Sequence, residues 1–301
     1  MNEPGAGHFS RSKLDEALRE VCAVIGADHR GARLLRLTNN AVYRLAHAPV
    51  VVRIVASRAL EHRVGKVVRI ARWLQDNDVP AVRLLAGYEQ PIRVNGYLAT
   101  VWDFVPSAEY RPTGRHLAEL LVKMHALDIP DELDLPAWAP LDAVRNRVGE
   151  AEVLDPGDRE FLLNRCDQVE RRLEELEFLR PWRVVHGDAH LGNVIPSPDG
   201  PVLCDFDSSG IGPPEWDMVP VAVGVLRFGE PVDTYRQMVD TYGLDVTTWS
   251  GFEVLREVRE LKLTTSVLPI TTSHPEVRPE LLRRLQDFRD GNTEATWERY
   301  R

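Results

Sequence analysis

Along the first hundred residues the apolar positions switch between helical and strand-like spacing. Leu14, Leu18, Val21, Cys22 and Ile25 recur at the helical period. The stretches 32–37 and 41–46, split by Thr38-Asn39-Asn40, and the β-branched run 50–55 then read as consecutive antiparallel strands with the Thr-Asn-Asn segment as a hairpin turn. Residues 58–77 return to a helical stripe through Val67, Val68, Ile70, Ala71 and Leu74, and Pro80 follows its end. Two more strands are predicted at 81–88 and 92–105, joined by Glu89-Gln90-Pro91. Beyond Ser107 the pattern becomes helical, at 115–127, 158–178, 219–227, 231–242, 252–267 and 280–289, with an acidic, proline-rich connector at 130–140. Two short apolar strands interrupt it, one before His186 and one after Pro201, and 291–301 is a polar tail. The expectation is an α+β chain divided at 105/106: a small antiparallel-sheet lobe over 1–105 and a mainly helical lobe over 106–301. No internal repeat is visible.

Composition narrows the class. Hydrophobic residues at 44% and charged residues at 28% are those of a soluble globular protein. No apolar run has the roughly 18–20 residues of a membrane helix, and the N-terminus lacks the apolar core of a secretory signal, so a cytoplasmic location is expected. Cys22, Cys166 and Cys204 lack metal-ligand spacing and read as buried thiols in a reducing compartment. The net charge of −9 is uneven: residues 1–105 carry 15 Lys/Arg against 10 Asp/Glu, and the remainder 22 against 36. A basic first part suits a polyphosphate, an acidic second part suits a cationic ligand, and neither suits nucleic acid across the larger part. Nothing in the sequence sets an oligomeric state.

The chemistry concentrates in VVHGDAHLGNVIPSPDGPVLCDFDSSGIGPPEWDM. Phosphoryl transfer needs a carboxylate to hold the acceptor hydroxyl and hard oxygen ligands for Mg²⁺. Asp188 and Asn193 stand five residues apart on a loop, and Asp205 ends an apolar strand twelve residues further on. The turn Ser197-Pro198-Asp199-Gly200 folds that strand back and brings Asp205 beside Asn193, as a shared metal requires.

H-G-D-A-H-L-G-N followed by C-D-F-D is similar to the catalytic-loop and metal-loop pattern of protein kinases. Gly187, the second histidine at His190 and the trailing G-P-P-E-W-D, Gly212 to Asp217, resemble the aminoglycoside-phosphotransferase family. The resemblance runs from about Leu35 to about Leu263 and is most specific at 184–217. It implies a protein-kinase-like two-lobed fold and an ATP- or GTP-dependent phosphotransferase acting on a hydroxyl of a small molecule, cationic if the acidic surplus is informative, such as an aminoglycoside or amino sugar. It assigns the catalytic carboxylate to Asp188 and the Mg²⁺ ligands to Asn193 and Asp205. Asp207 would touch a metal or brace the loop, Asp217 would support the catalytic loop, and His186 and His190 would shape it.

On the nucleotide side the resemblance places phosphate contacts on Thr38, Asn39 and Asn40, a phosphate-pairing arginine at Arg53, and adenine on the connector holding Trp102, Asp103 and Phe104. Two departures stand out. The hairpin has no glycine, and the helix that should offer Arg53 a glutamate shows Lys66, Val67 and Arg69, with Glu61 the nearest acid; either Glu61 serves or Arg53 acts without an acidic partner. Acceptor candidates are Glu215 and Trp216, with Glu253, Glu257 and Glu260 sharing one helical face. Relatives with this loop phosphorylate choline, homoserine, methylthioribose and other hydroxyl compounds, so an amino-alcohol kinase is one alternative, and the missing glycine loop and helix glutamate make a nucleotide-binding pseudokinase another.

Overall fold

The structure, a computed structural model, describes residues 11–37, 40–55 and 61–300. Its contacts divide the chain into two compact units rather than at one cut. The first runs through Pro112 and takes in Ile129–Leu135 and Gly192–Ser209; the second holds Thr113–Asp128, Pro136–Leu191 and Gly210–Arg301. Asn193, Asp205 and Asp207, expected in the second lobe, therefore fold with the first unit, while Asp188 folds with the second.

In the first unit, α1 (Arg11–Val24) precedes β1 (Arg33–Leu37), β2 (Asn40–Arg44), β3 (Val50–Val55), α2 (Glu61–Asp76), β4 (Ile92–Val94) and β5 (Tyr97–Asp103). The strands form one antiparallel sheet in the order β1-β2-β3-β5-β4. The helical stripe of α1 is the reason it docks: Leu14, Leu18, Val21 and Cys22 pack into one core with Val52, Ile54, Ala99 and Val101 of the sheet. The run 92–105 is not one strand. Asn95 and Gly96 both adopt positive φ (46° and 79°) and close a two-residue hairpin, the turn that Asn-Gly favours. The predicted strand 81–88 is absent as well. Its first residues run between two partners, with Val82 N–H donating to Leu203 O and Asp103 N–H donating to Arg83 O, both at 2.9 Å, before the chain turns at Gly87.

Within the same unit β7 (Val194–Ser197) and β8 (Gly200–Leu203) form a two-stranded hairpin. In the second unit β6 (Arg183–Val185) pairs instead with β9 (Gly210–Gly212), a strand too short and glycine-rich to carry a pattern. The helices of that unit are α3 (Gly114–His125), α4 (Asp142–Glu150), α5 (Pro156–Glu174), α6 (Glu215–Phe228), α7 (Val232–Tyr242), α8 (Phe252–Thr265) and α9 (Arg278–Asp290). Asp155 caps α5 through the Asp158 amide, with Pro156 at its first position. Of these α4 was not anticipated, although Leu141, Val144 and Val148, all buried, mark its inner face. The tail also departs from expectation: Trp297 is buried, donates its indole N–H to Asp287 at 2.9 Å and lies under the guanidinium groups of Arg227 and Arg284.

Candidate active site

The candidate residues fall in two groups, one in each unit. In the second unit the chain leaves β6 at Val185 and turns through Gly187, whose φ of 81° suits glycine. The turn is held from behind by the start of α6. Asp217, fully buried, accepts the amide N–H groups of His186 (2.7 Å) and Gly187 (2.8 Å), and Trp216 donates its indole N–H to Gly187 O (2.9 Å). Asp217 also takes Nε2–H of buried His125 at 3.0 Å, while His125 Nδ1 accepts the Tyr242 hydroxyl at 2.7 Å. Burial, with Asp217 and Glu215 nearby, pushes the Tyr242 hydroxyl well above its ordinary range, so it remains a proton donor in this chain. His186 is fully buried, and its Nδ1 accepts the Asp188 amide at 3.3 Å.

Asp188 projects from this braced turn with a third of its side chain exposed. Its Oδ1 lies 2.5 Å from Nη1 of Arg259 on α8, and its Oδ2 lies 3.7 Å from His190 Nε2. Burial alone would raise its carboxyl. The Arg259 guanidinium, helped by His190 and Lys262, more than reverses that and holds it well below the usual carboxylate range. Lys262 in turn stands 5.1 Å over the ring of Trp216.

The expected acidic acceptor surface is not what α8 offers. At 3.6 residues per turn, Glu253, Glu257 and Glu260 lie roughly 100–180° round the helix from Arg259 and Lys262. Glu257 is buried and bonded by Arg165 and, at 2.7 Å, by Arg172. Glu260 is buried and held by Arg227 (2.6 Å) and Arg256 (2.8 Å). Only Glu253 of the three is exposed, 3.6 Å from Arg256. Glu215 is fully buried, its Oε1 accepting the Arg180 amide at 2.8 Å, and Trp216 is fully buried too. Glu257 and Glu260 satisfy arginines of the fold, because buried carboxylates need paired partners, whereas Glu215 Oε2 is buried without a hydrogen-bond partner.

In the first unit the β7–β8 hairpin brings the metal candidates together, as its turn chemistry predicts. Cys204 N–H donates to Asn193 O at 3.0 Å, and Asp205 follows at once with φ 70° and ψ 71°, a left-handed conformation rare outside glycine. Asn193 is buried. Burial, with Asp205 beside it, pushes the Cys204 thiol up to about 12, which leaves it chemically inert. A guanidinium is the cation drawn to this carboxylate: Arg36 Nη1 lies 3.6 Å from Asp205 Oδ2. Among the described residues no three His, Cys, Asp or Glu side chains converge as a self-sufficient metal site. An amide oxygen and a carboxylate fit Mg²⁺, which takes one or two protein oxygens and completes its shell with substrate phosphates and water.

Arg53 on β3 does find an acid, though not one that the sequence pointed to: Asp207 Oδ2 accepts its Nη2 at 2.5 Å. Lys66 of α2, standing where an acid was sought, donates to the carbonyl oxygens of Asp207 (2.8 Å) and Ser209 (2.7 Å). The loop after Asp205 is thus tied to both β3 and α2. Burial, reinforced by Arg63, pulls the Lys66 ammonium down to about 8. Thr38 and Asn39 lie outside the described residues, and Asn40 opens β2 opposite Val55. Along the connector, Trp102 is buried with its indole N–H on Thr100 Oγ1 at 2.8 Å, the amide of Asp103 is spent on Arg83 O, and that of Phe104 is spent on Pro49 O. Arg44 stacks 3.8 Å over Phe104. Sequence reasoning missed Arg36, Arg259 and Lys262, because surface-type cations at no motif position carry no local signal.

The fold recurs in known proteins. The chain belongs to the phosphotransferase enzyme family, whose model matches residues 32–261. No curated protein sequence matches it. Among solved structures it is similar to an amicoumacin kinase in complex with AMP-PNP and Ca²⁺ (TM-score 0.74, 14% identity, covering 97% of this chain and 96% of that one). It is also similar to the choline kinase LicA from Streptococcus pneumoniae (TM-score 0.66, 14% identity, 91% and 99% covered). A third is spectinomycin phosphotransferase in complex with ADP and spectinomycin (TM-score 0.61, 15% identity, 90% and 93% covered). The fold is therefore protein-kinase-like and α+β, and the protein is an enzyme of the small-molecule kinase class.

Proposed function

We propose that the protein transfers the γ-phosphate of ATP or GTP to a hydroxyl group of a small molecule, with Asp188 as the residue that receives and orients that hydroxyl. The observation that carries this is the bracing of Asp188: a buried carboxylate, a buried histidine and an indole N–H fix the turn from which it projects. Such preorganisation is what an in-line transfer demands of the residue that aims the nucleophile. Held ionised, Asp188 can accept a hydrogen bond from the hydroxyl and take its proton as the bond to phosphorus forms.

On the nucleotide side, Asn193 and Asp205 would hold Mg²⁺, which when bound neutralises phosphate charge. Arg53 and Arg36 supply guanidinium groups suited to phosphate oxygens, and Asp207 orients Arg53. Lys66 keeps the Asp207–Ser209 backbone in place. A cytoplasmic setting agrees with three cysteines that form no disulfide; among the described residues no helix is long and apolar enough to cross a membrane.

The test separates chemistry from binding. Asp188→Ala is expected to lower kcat by at least about 10²-fold while leaving Mg²⁺–nucleotide affinity within about threefold, and Asp205→Ala to weaken that affinity directly. Equal losses of both quantities in Asp188→Ala would make Asp188 a structural residue and sink the assignment.

A further inference from the structure

Behind the catalytic turn, three buried side chains from three helices of the second unit stand in file. α3 and α7 run side by side in the same direction. Gly114 meets Thr234 where both begin, so closely that a Cβ there would lie 1.8 Å from the Thr234 carbonyl oxygen, and His125 meets Tyr242 where both end. The Tyr242 hydroxyl lies 2.7 Å from His125 Nδ1, His125 Nε2 lies 3.0 Å from Asp217 Oδ2, and Asp217 receives the amides of His186 and Gly187. Tyr242 and His125 are 6% and 7% exposed, and Asp217 is fully buried. Among the described residues, the Tyr242 hydroxyl and the two His125 nitrogens have no hydrogen-bond partners other than these. Counting donors and acceptors then locates the proton. Were it on Nδ1, a bare Nε2 would face the Asp217 carboxylate. Were both nitrogens protonated, Nδ1–H would claim the hydroxyl oxygen, and the hydroxyl proton would be buried with no acceptor. With the proton on Nε2 alone, every N–H and O–H of the file has an acceptor. The carboxylate does not require a cationic histidine: it takes three N–H donors and stands in the first turn of α6, where the helix dipole favours negative charge.

Resting on the assignment of Asp188 as the hydroxyl-orienting residue, we infer that Tyr242 is a positioning residue for the transfer. Its hydroxyl holds His125 in the neutral Nε2–H form, and through His125 and Asp217 it fixes the turn that carries Asp188. His125 and the His186 amide share Asp217 Oδ2, while the Gly187 amide takes Oδ1. The Nε2–H bond therefore stops the carboxylate from rotating off the two amides that immediately precede Asp188. Without the Tyr242 hydroxyl, Nδ1 is a buried acceptor with nothing to accept, and the ring gains by flipping or by taking a proton. Either change disturbs the bond to Oδ2 and loosens the turn. The charged groups beside Tyr242 are Arg180, whose guanidinium lies 5.0 Å over its ring, Glu215 and Asp217 itself, and none of them bonds the hydroxyl. Tyr242 lies 117 positions from His125 and at no motif position, so the sequence does not mark it.

The test compares wild type with Tyr242→Phe, which keeps the ring and removes only the hydroxyl. In protein labelled with ¹⁵N-histidine the imidazole nitrogens report the proton directly by NMR, and the His125 signals are identified by their loss in His125→Gln. Wild type is expected to show a protonated Nε2 and a bare, hydrogen-bonded Nδ1, and Tyr242→Phe to lose that pattern. Amide hydrogen exchange measures what reaches the turn. In Tyr242→Phe the His186 and Gly187 amides should exchange about fivefold faster, the effect of losing one hydrogen bond, while α5 keeps its wild-type protection. The kcat for phosphate release from Mg²⁺–ATP should fall about tenfold with KM for the nucleotide unchanged, as for a displaced catalytic group. An imidazolium or an Nδ1–H form of His125 in wild type overturns the inference. So does a kcat equal to wild type, or exchange that is unchanged at the turn or faster by the same factor in α5. Asp188→Ala should leave the His125 signals and the exchange at the turn as they are in wild type. Phosphate transfer that survives in Asp188→Ala would refute the catalytic assignment without touching those two measurements.

Discussion

Asp217→Asn is the substitution that probes the architecture of the site most sharply. The carboxylate is fully buried and accepts three hydrogen bonds, from the His186 amide, the Gly187 amide and His125 Nε2. Oδ2 takes two of them and Oδ1 takes one. An asparagine of the same shape offers one acceptor oxygen and one NH₂ group. With its oxygen placed at the Oδ2 position, the Gly187 N–H faces another donor. One charge-assisted bond, about 1.5–3 kcal/mol, is lost outright and two fall to neutral bonds at about 1 kcal/mol lower each. The sum is about 4 kcal/mol, which in a chain of this size lowers Tm by about 6 °C. Differential scanning calorimetry reads the shift, and kcat should fall with it because Gly187 and Asp188 share the braced turn. A Tm within about 2 °C of wild type would refute the role given to Asp217.

Other expectations follow from the same geometry. The folded Asp188 carboxyl is depressed, so it stays charged above the unfolded value of about 3.9 and its pairing is lost only as pH falls through a lower folded value. The wild-type kcat/KM profile should therefore show no acid limb from Asp188 above about pH 4, whereas Arg259→Gln, leaving burial to raise the carboxyl, should move that limb upward. Lys66 is depressed too, in a higher window: the unfolded chain binds more protons between about pH 8 and about pH 10.5, so its contribution to stability rises with pH there. Wild type should gain on Lys66→Met by denaturant titration over that interval, and a constant difference would contradict the shift. Gly114→Ala would put a Cβ 1.8 Å from Thr234 O where α3 meets α7, so a clear loss of Tm is expected from one methyl group. Trp297→Ala should cost about 3–5 kcal/mol in urea unfolding, since the indole is buried between two arginines.

Long elements with a clean period were legible in the sequence. The stripes of α1 and α2, the β-branched run of β3 and the turn between β7 and β8 all place their residues as the pattern predicts. The errors lie where the signal is short or the partner distant. Asn95-Gly96 splits a run that reads as one strand, and β9 is three residues whose pairing with β6 only tertiary contact decides. The motif points to Asp188, Asn193 and Asp205 because their spacing in the chain is local. The pairing of Arg53 with Asp207 spans 154 positions and that of Arg259 with Asp188 spans 71, distances over which residue type alone says nothing. The acidic stripe of α8 shows the same limit from the other side. Periodicity puts three glutamates on one face, but whether that face meets solvent, substrate or arginines depends on what packs against it.

The most direct measurement is transfer of label from [γ-³²P]ATP and [γ-³²P]GTP to a library of small hydroxyl compounds, resolved by chromatography. Wild type with Mg²⁺ is expected to yield a labelled small molecule, and Asp188→Ala under identical conditions to yield at most about 1% of it. Label that never reaches a small molecule, while the nucleotide still binds in a Mg²⁺-dependent way, would contradict the assignment; so would label appearing equally in both proteins.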